Sequence, residues 1–329
     1  MLLVIALILF VFVIGLCIGS FLNVVILRSL SEESIVFPAS KCPKCQHPLK
    51  WWHNIPVLSY ILLRGKCGFC SEKISIQYPI IELVTGVAFV LVFLKFGISV
   101  NTILAWIITS LFVVLAGTDW KEKVVFDVHT YALIGVGLFC AVLTTGMIIY
   151  EYTTLYGHFN YNTQWFVSNP LTVALLGTII GFVGMEIISR MGYLLAGTRA
   201  FGEGDSFIAA GLGAILGWKA LLPLLIISVI VQILAILPIF IKKEIENKNW
   251  MVIISFGAFV AYTIAFMMAQ KFGWLENMVA YIASSIVLVI IGVLCCREIL
   301  SNIKTDPDNR TYLPFGPALV FAGFILLLA

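Results

Sequence analysis

Ten apolar runs divide this chain of 329 residues, and they decide its fold class before any single residue is weighed. They fall at 2–27, 78–94, 102–118, 129–150, 171–189, 207–216, 220–241, 250–269, 278–296 and 314–329. Roughly 20 residues of helix cross a hydrocarbon core, and inside lipid a helix satisfies its own backbone hydrogen bonds. The runs therefore predict an all-α polytopic membrane protein with about nine or ten hydrophobic helices. The runs at 207–216 and 314–329 are short and read as tilted or re-entrant. With 61% hydrophobic and 11% charged residues, the composition lies outside the soluble globular range. No Lys or Arg precedes the first run and no small-residue cleavage site follows it. It reads as a retained span, not a removable signal peptide.

Charge placement orients the runs. Basic residues concentrate in cytoplasmic loops, and an amino terminus placed outside leaves only Lys95, Lys219 and Lys271 of the 20 basic residues facing outward. The opposite orientation inverts that ratio. The segment 28–77 is then cytoplasmic, and 151–170, which contains no Lys or Arg, is external. The net charge of +3 is too small to point to a nucleic-acid partner. The partner read from composition is the lipid bilayer itself.

Four of the eight cysteines lie in the first cytoplasmic loop, as Cys42-Pro-Lys-Cys45 and Cys67-Gly-Phe-Cys70. Two CxxC units at this separation predict a tetrahedral zinc site, each unit forming a knuckle around the metal. A reducing cytoplasm disfavours disulfides there. Four thiolates fill the coordination sphere, so the Zn²⁺ is expected to be structural, in a small zinc-ribbon-like domain. Two redox-active pairs are the alternative. His47 and His53 are expected at the surface or in packing, and Cys17, Cys140, Cys295 and Cys296 as inert thiols within the apolar runs.

Two acids stand out at the membrane boundary. Asp119 ends the third run, and Asp205 follows Gly202-Glu203-Gly204 at the start of the sixth. Ionisable residues in such positions are functional candidates, although an Asp before a helix is also a favoured cap. The topology places both acids at one depth on the cytoplasmic side. Two close carboxylates can share a proton: the neutral one donates to a substrate carbonyl or leaving amine while the charged one takes a proton from water. That is amide hydrolysis without a Ser or Cys nucleophile. Gly202 and Gly204 are expected to let the backbone bend and a substrate approach. Helix dipoles favour charge on Asp205 at a helix start and oppose it on Asp119 at a helix end. Asp119 is thus expected as the initial acid and Asp205 as the base. Asp127 and Glu203 read as solvated interfacial charges.

The motifs taken together resemble type IV prepilin peptidases. They are Gly19-Ser20-Phe21-Leu22-Asn23, the two CxxC units, Trp51 with Asn54-Ile55-Pro56, Leu63-Arg64-Gly65-Lys66, Tyr78-Pro79 with Glu82, Asp119 with Asp127, Gly202–Asp205, and Pro314-Phe315-Gly316-Pro317. The resemblance covers nearly the whole chain in order. It implies a GxGD-type aspartic endopeptidase of the bacterial cytoplasmic (inner) membrane. Such an enzyme removes the leader of type IV prepilin or pseudopilin precursors at the cytoplasmic face and often N-methylates the new amino terminus with S-adenosylmethionine. It places the catalytic aspartates at Asp119 and Asp205 and the zinc ligands at Cys42, Cys45, Cys67 and Cys70. No glycine fingerprint for S-adenosylmethionine follows a strand, and no residue is assigned to that cofactor. The expected division is a first transmembrane helix at 1–27, a Cys₄ domain at 28–77 and a membrane peptidase domain at 78–329. Residues 242–310 read as an insertion carrying two extra spans. The chain departs from the family pattern at Phe207, where Lys is frequent, and at Trp120-Lys121, where a second acid is frequent. Alternatives are a peptidase without methyl transfer, an ion-coupled transporter whose zinc loop acts as a gate, and a scaffold with a vestigial site. Transporters often show internal repeats, and none is visible.

Overall fold

A computed structural model describes residues 2–37, 40–157, 163–196, 202–247, 250–272 and 314–329, with scattered positions between 279 and 294. The helices are α1 Leu2–Leu30, α2 Leu58–Leu62, α3 Gln77–Phe96, α4 Val100–Glu122, α5 Asp127–Tyr156 and α6 Thr163–Ser168. They continue with α7 Pro170–Ala196, α8 Glu203–Leu216, α9 Leu221–Glu246, α10 Trp250–Lys271 and α11 Gly316–Leu328. Among the described residues there is no strand, only isolated bridges at Lys41–Pro48 and Lys66–Lys73. Six helices are long and apolar enough to cross a membrane: α1, α3, α4, α5, α7 and α9. The protein is a multi-pass, all-α membrane protein. The short sixth run becomes α8, with 14 residues, and the last run becomes α11, with 13. The run at 278–296 lies mostly outside the described residues, as do Arg199, Cys295 and Cys296.

The chain forms two compact units, residues 1–230 with 314–329, and residues 231–313. The second contains α10, whose Tyr262 hydroxyl donates to the Ser284 carbonyl at 3.3 Å. Everything that follows concerns the first unit.

Lipid offers apolar helices no hydrophobic drive to associate, so small residues and close backbone packing hold them together. α1 crosses α3 at two glycines. A Cβ on Gly15 would sit 2.7 Å from Gly86 Cα, and one on Gly19 would sit 2.8 Å from Glu82 Cα. Asn23 on α1, 1% exposed, donates to the Tyr78 carbonyl at 3.1 Å and so fixes the register of that pair. Trp106 on α4 stacks on Phe89 of α3 with ring centroids 5.1 Å apart, and its indole donates to the Phe89 carbonyl at 3.0 Å. α7 and α8 approach closest: Gly177 and Gly213 face each other, and a Cβ on either would overlap the other's carbonyl. Gly181 meets Ala209 one turn along the same seam. Thr145 of α5 accepts the Leu171 N–H at 3.1 Å and pins the start of α7.

Candidate functional site

Asp119 occupies the last turn of α4. The helix ends at Glu122, with Lys123 left-handed at φ 57° and its N–H bonded to the Asp119 carbonyl at 2.9 Å. Ile26 of α1 fills the space against Gly117, two residues before the acid, so α1 supports this turn from behind. Asp205 occupies the first turn of α8. Gly202 caps the helix, and the Asp205 carboxylate reaches back to accept the Gly202 N–H at 3.1 Å. The cap expected of this acid exists, but Asp205 makes it from the third helical position.

Three contacts bring the two turns together. The strand of chain that leaves α4 lays Val125 against Gly204, where a Cβ would come within 2.5 Å of Val125 Cβ. Gly204 is therefore needed for the protein's own packing, a role the sequence did not show. Gly202 adopts φ −68°, ψ 158°, which any residue tolerates. At the other side, Gly316 at the start of α11 lies directly on Asp119 and beside Ile208, one turn past Asp205. A Cβ at Gly316 would overlap an Asp119 carboxylate oxygen. The expected motif Pro314-Phe315-Gly316-Pro317 thus forms one wall of the acid site, a placement that spacing alone does not reveal.

The resulting site is two nearly enclosed carboxylates, 5% exposed at Asp119 and 7% at Asp205, that interact electrostatically with each other. Asp119 Oδ2 has no hydrogen-bond partner among the described residues, and neither has the buried Ser206 Oγ beside Asp205. Asp127 and Glu203 are exposed, as expected. Phe207, where the resemblance leads one to expect Lys, sits between Tyr131 of α5 and Phe182 of α7, at 5.7 and 5.1 Å between ring centroids. It is a packing residue that seats the first turn of α8.

The four cysteines meet in one place. The sulfur atoms of Cys42, Cys45, Cys67 and Cys70 all lie within 4.8 Å of one another, with Cys42 and Cys70 3.9 Å apart. A tetrahedral zinc with Zn–S bonds near 2.3 Å needs sulfurs about 3.8 Å apart, so the donor set fits. The two CxxC units fold alike. Cys42 N–H bonds the His47 carbonyl at 3.0 Å and Cys67 N–H the Glu72 carbonyl at 2.8 Å. The fourth residue after each leading cysteine, Gln46 or Ser71, turns left-handed at φ 57° or 60°. Backbone N–H groups of Cys70 and Phe69 pull the Cys67 thiol down to about 7. The Glu72 N–H also favours the Cys70 thiolate, yet burial and the three neighbouring thiols push Cys70 up to about 11. Four thiols this close resist ionising together, and a divalent cation removes that conflict. His47 packs its ring on Phe69 at 3.8 Å, and His53 meets the same ring edge-on at 5.3 Å. Both histidines serve in packing, as expected. Cys17 lies exposed on α1 and Cys140 half-buried on α5, each within a spanning helix.

The fold and site define a polytopic helical membrane protein with two enclosed carboxylates and a four-cysteine cluster, and comparison with known proteins gives the family. The Bacterial Peptidase A24 N-terminal domain matches residues 13–96, and the Type IV leader peptidase family matches residues 106–237. The chain is 35% identical to a prepilin leader peptidase/N-methyltransferase of Neisseria gonorrhoeae over 70% of its own length and 82% of that protein. It is 36% identical to the protein of that name from Myxococcus xanthus, over 67% of this chain and 59% of the relative. A Klebsiella pneumoniae relative of the same name is 34% identical over 64% of this chain and 86% of its own. No solved structure matches the chain significantly. The protein belongs to the type IV leader peptidase family, whose members here are named as peptidases that also methylate.

Proposed function

We propose that Asp119 and Asp205 are the catalytic pair of an endopeptidase that removes the leader of prepilin or pseudopilin precursors at the cytoplasmic face of the bacterial inner membrane. The observation that carries this reading is the enclosed pair, with Asp119 Oδ2 unpartnered and Gly316 closing one side. The pair carries one proton. The charged carboxylate takes a proton from water, which attacks the scissile carbonyl carbon, while the neutral carboxyl donates to the carbonyl oxygen. The tetrahedral intermediate collapses as a proton passes to the leaving nitrogen and the C–N bond breaks. Backbone N–H groups face both acids, Gly202 toward Asp205 and Gly316 toward the Asp119 carboxylate, so Asp119 is taken as the first acid from its place at a helix end, where the dipole opposes charge. Gly202, which caps α8, and Gly204, in its first turn, are the glycines that support Asp205.

The cysteine cluster holds a structural Zn²⁺ through Cys42, Cys45, Cys67 and Cys70, supplying rigidity to the loop and no reacting group. The basic residues support the cytoplasmic side, since the loop that carries Lys41, Lys44, Lys50, Arg64, Lys66 and Lys73 joins the end of α1 to the start of α3. We divide the chain into a first helix at 1–27, a Cys₄ domain at 28–77 and a peptidase domain at 78–329; the first family match, at 13–96, takes in the end of the first helix, the cysteine loop and α3 together. The separate compact unit at 231–313 supports reading 242–310 as an insertion. The names of the relatives support a second activity, transfer of a methyl group from S-adenosylmethionine to the new amino terminus.

The test is cleavage of a pilin-like precursor by the protein purified in detergent. Asp119→Asn and Asp205→Asn should each abolish cleavage, and Asp127→Asn should retain it. Continued cutting by both Asn variants would sink the pair as catalysts. Mass spectrometry of the product amino terminus, with and without S-adenosylmethionine, tests methyl transfer separately.

A further inference from the structure

The short helix α2, between the two knuckles, is inside out for a helix surrounded by water. Leu58, Ile61 and Leu62 fall on one face, at the i, i+3 and i+4 positions, and are 49%, 63% and 71% exposed. Ser59 and Tyr60 take the more sheltered side. The turn Trp51–Asn54 packs against α2 and adds two more exposed apolar side chains, Trp51 and Trp52.

One hydrogen bond fixes the depth of this face. The Val57 N–H, one residue before α2, donates at 2.7 Å to Oε2 of Glu82, a buried carboxylate in the second turn of α3. α3 has 20 residues and so rises about 30 Å, the thickness of the hydrocarbon core with nothing to spare. Its second turn therefore cannot stand clear of the bilayer. Glu82 can reach back toward the surface, and that still leaves Val57 and the start of α2 within the headgroup layer.

We propose that α2 is an interfacial anchor that seats the cysteine loop in an anionic lipid surface, with Leu58, Ile61 and Leu62 at the acyl boundary and Arg64 and Lys66 on the headgroups. An outward apolar face and a pair of tryptophans are what that level of a bilayer favours. Charge selects the lipid. Residues 40–76 carry six bases against one acid, Glu72, and stay net positive even with the two negative charges of a Zn²⁺ on four thiolates. Arg64 and Lys66 follow α2 directly, are exposed, and make no ion pair among the described residues. Basic residues at a membrane surface draw anionic lipids to it. The inference needs α3 to span the bilayer and is independent of the activities proposed above.

The test places a photoreactive benzoylphenylalanine at Leu62 of the full chain, held in nanodiscs of phosphatidylglycerol and phosphatidylethanolamine. Zinc content and helical circular dichroism equal to the unlabelled protein show that the labelled chain is folded, and the same label at Ile61 serves where Leu62 does not tolerate it. Irradiation should attach phospholipid to the labelled peptide, read by mass spectrometry. Exchanging phosphatidylglycerol for phosphatidylcholine should lower that yield about threefold, and Arg64→Gln with Lys66→Gln should lower it as much in the anionic nanodiscs. Adducts to protein side chains alone, or no adduct in folded protein, would overturn the anchor. Equal yields in the two lipid mixtures would overturn the anionic surface as the partner. Transfer of the adducts from lipid to an added pilin-like precursor would assign the face to substrate instead.

Discussion

At the scale of single residues, the site depends on where side chains are missing. Gly316 has room for a hydrogen and nothing more, because a Cβ would overlap the Asp119 carboxylate. Gly316→Ala must push either the acid or the start of α11 aside. A misplacement of about 1 Å in a catalytic group can cost on the order of a hundredfold in rate. Gly316→Ala should therefore lower cleavage by about that factor while the purified protein keeps its helical circular-dichroism signal. Retention of near wild-type cleavage would show that the wall is not needed. The acids themselves were legible in the sequence, since a carboxylate at a bilayer edge is costly and two at one depth suggest a pair. The wall was not. Asp119 and Gly316 are far apart in the chain, and only tertiary packing shows that a glycine in one motif exists to make room for an acid in another. The same holds for Glu82: it stands out as an acid in an apolar helix, but its partner is a backbone N–H, which leaves no mark in the sequence.

At the scale of elements, apolar periodicity located nearly every described helix, because length and hydropathy dictate spans in lipid. The helix ends moved by a few residues. α1 runs on to Leu30, three residues beyond the apolar run, through Arg28, whose guanidinium caps the following loop at the Ser34 carbonyl, 2.8 Å away. Hydropathy could not tell which helices touch. The closest pair, α7 with α8, meets backbone to backbone at Gly177 and Gly213, while Gly135 and Gly146 of α5 and Gly184 of α7 meet nothing among the described residues. Gly213→Ala should force the seam apart at a cost of about 1–3 kcal/mol, typical of overpacking, and lower the thermal midpoint in detergent. Gly146→Ala, in open space, is the control and should leave the midpoint unchanged. The CxxC spacing was the most legible feature of all, because two knuckles at that separation have few other uses. The folded sulfurs match the separation that a zinc ion needs.

At the scale of the whole first unit, the end of α1, the start of α3, the end of α4 and the starts of α5, α8 and α11 gather at one face. The Asn23–Tyr78 bond, the contacts of Ile26, Val125 and Gly316, and the Tyr131–Phe207 ring pair tie them together. The cysteine loop is carried on the same face, and between residues 31 and 76 only Cys42 and Cys67 are buried among the described residues, so the proposed metal would be its main support. Elemental analysis should find about one zinc per chain. Stripping the metal with a chelator should expose Lys41, Lys44, Lys50, Arg64, Lys66 and Lys73 to trypsin while the membrane helices stay intact. Equal trypsin resistance with and without chelator would argue that the loop is held by other means.

The length of α8 bears on how water reaches this face. Its fourteen residues rise only about 21 Å, against a hydrocarbon slab of about 30 Å. It cannot bridge the slab, so one end stops inside it or the bilayer pinches in to meet it. The helix begins at the acid site, with Asp205 in its first turn. A dent of that kind on this face would let solvent descend to the carboxylates, while the flanking full-length helices keep the surrounding lipid sealed. Hydrolysis inside a membrane protein needs such a well, and here a helix that falls short of the slab's thickness is what would form it.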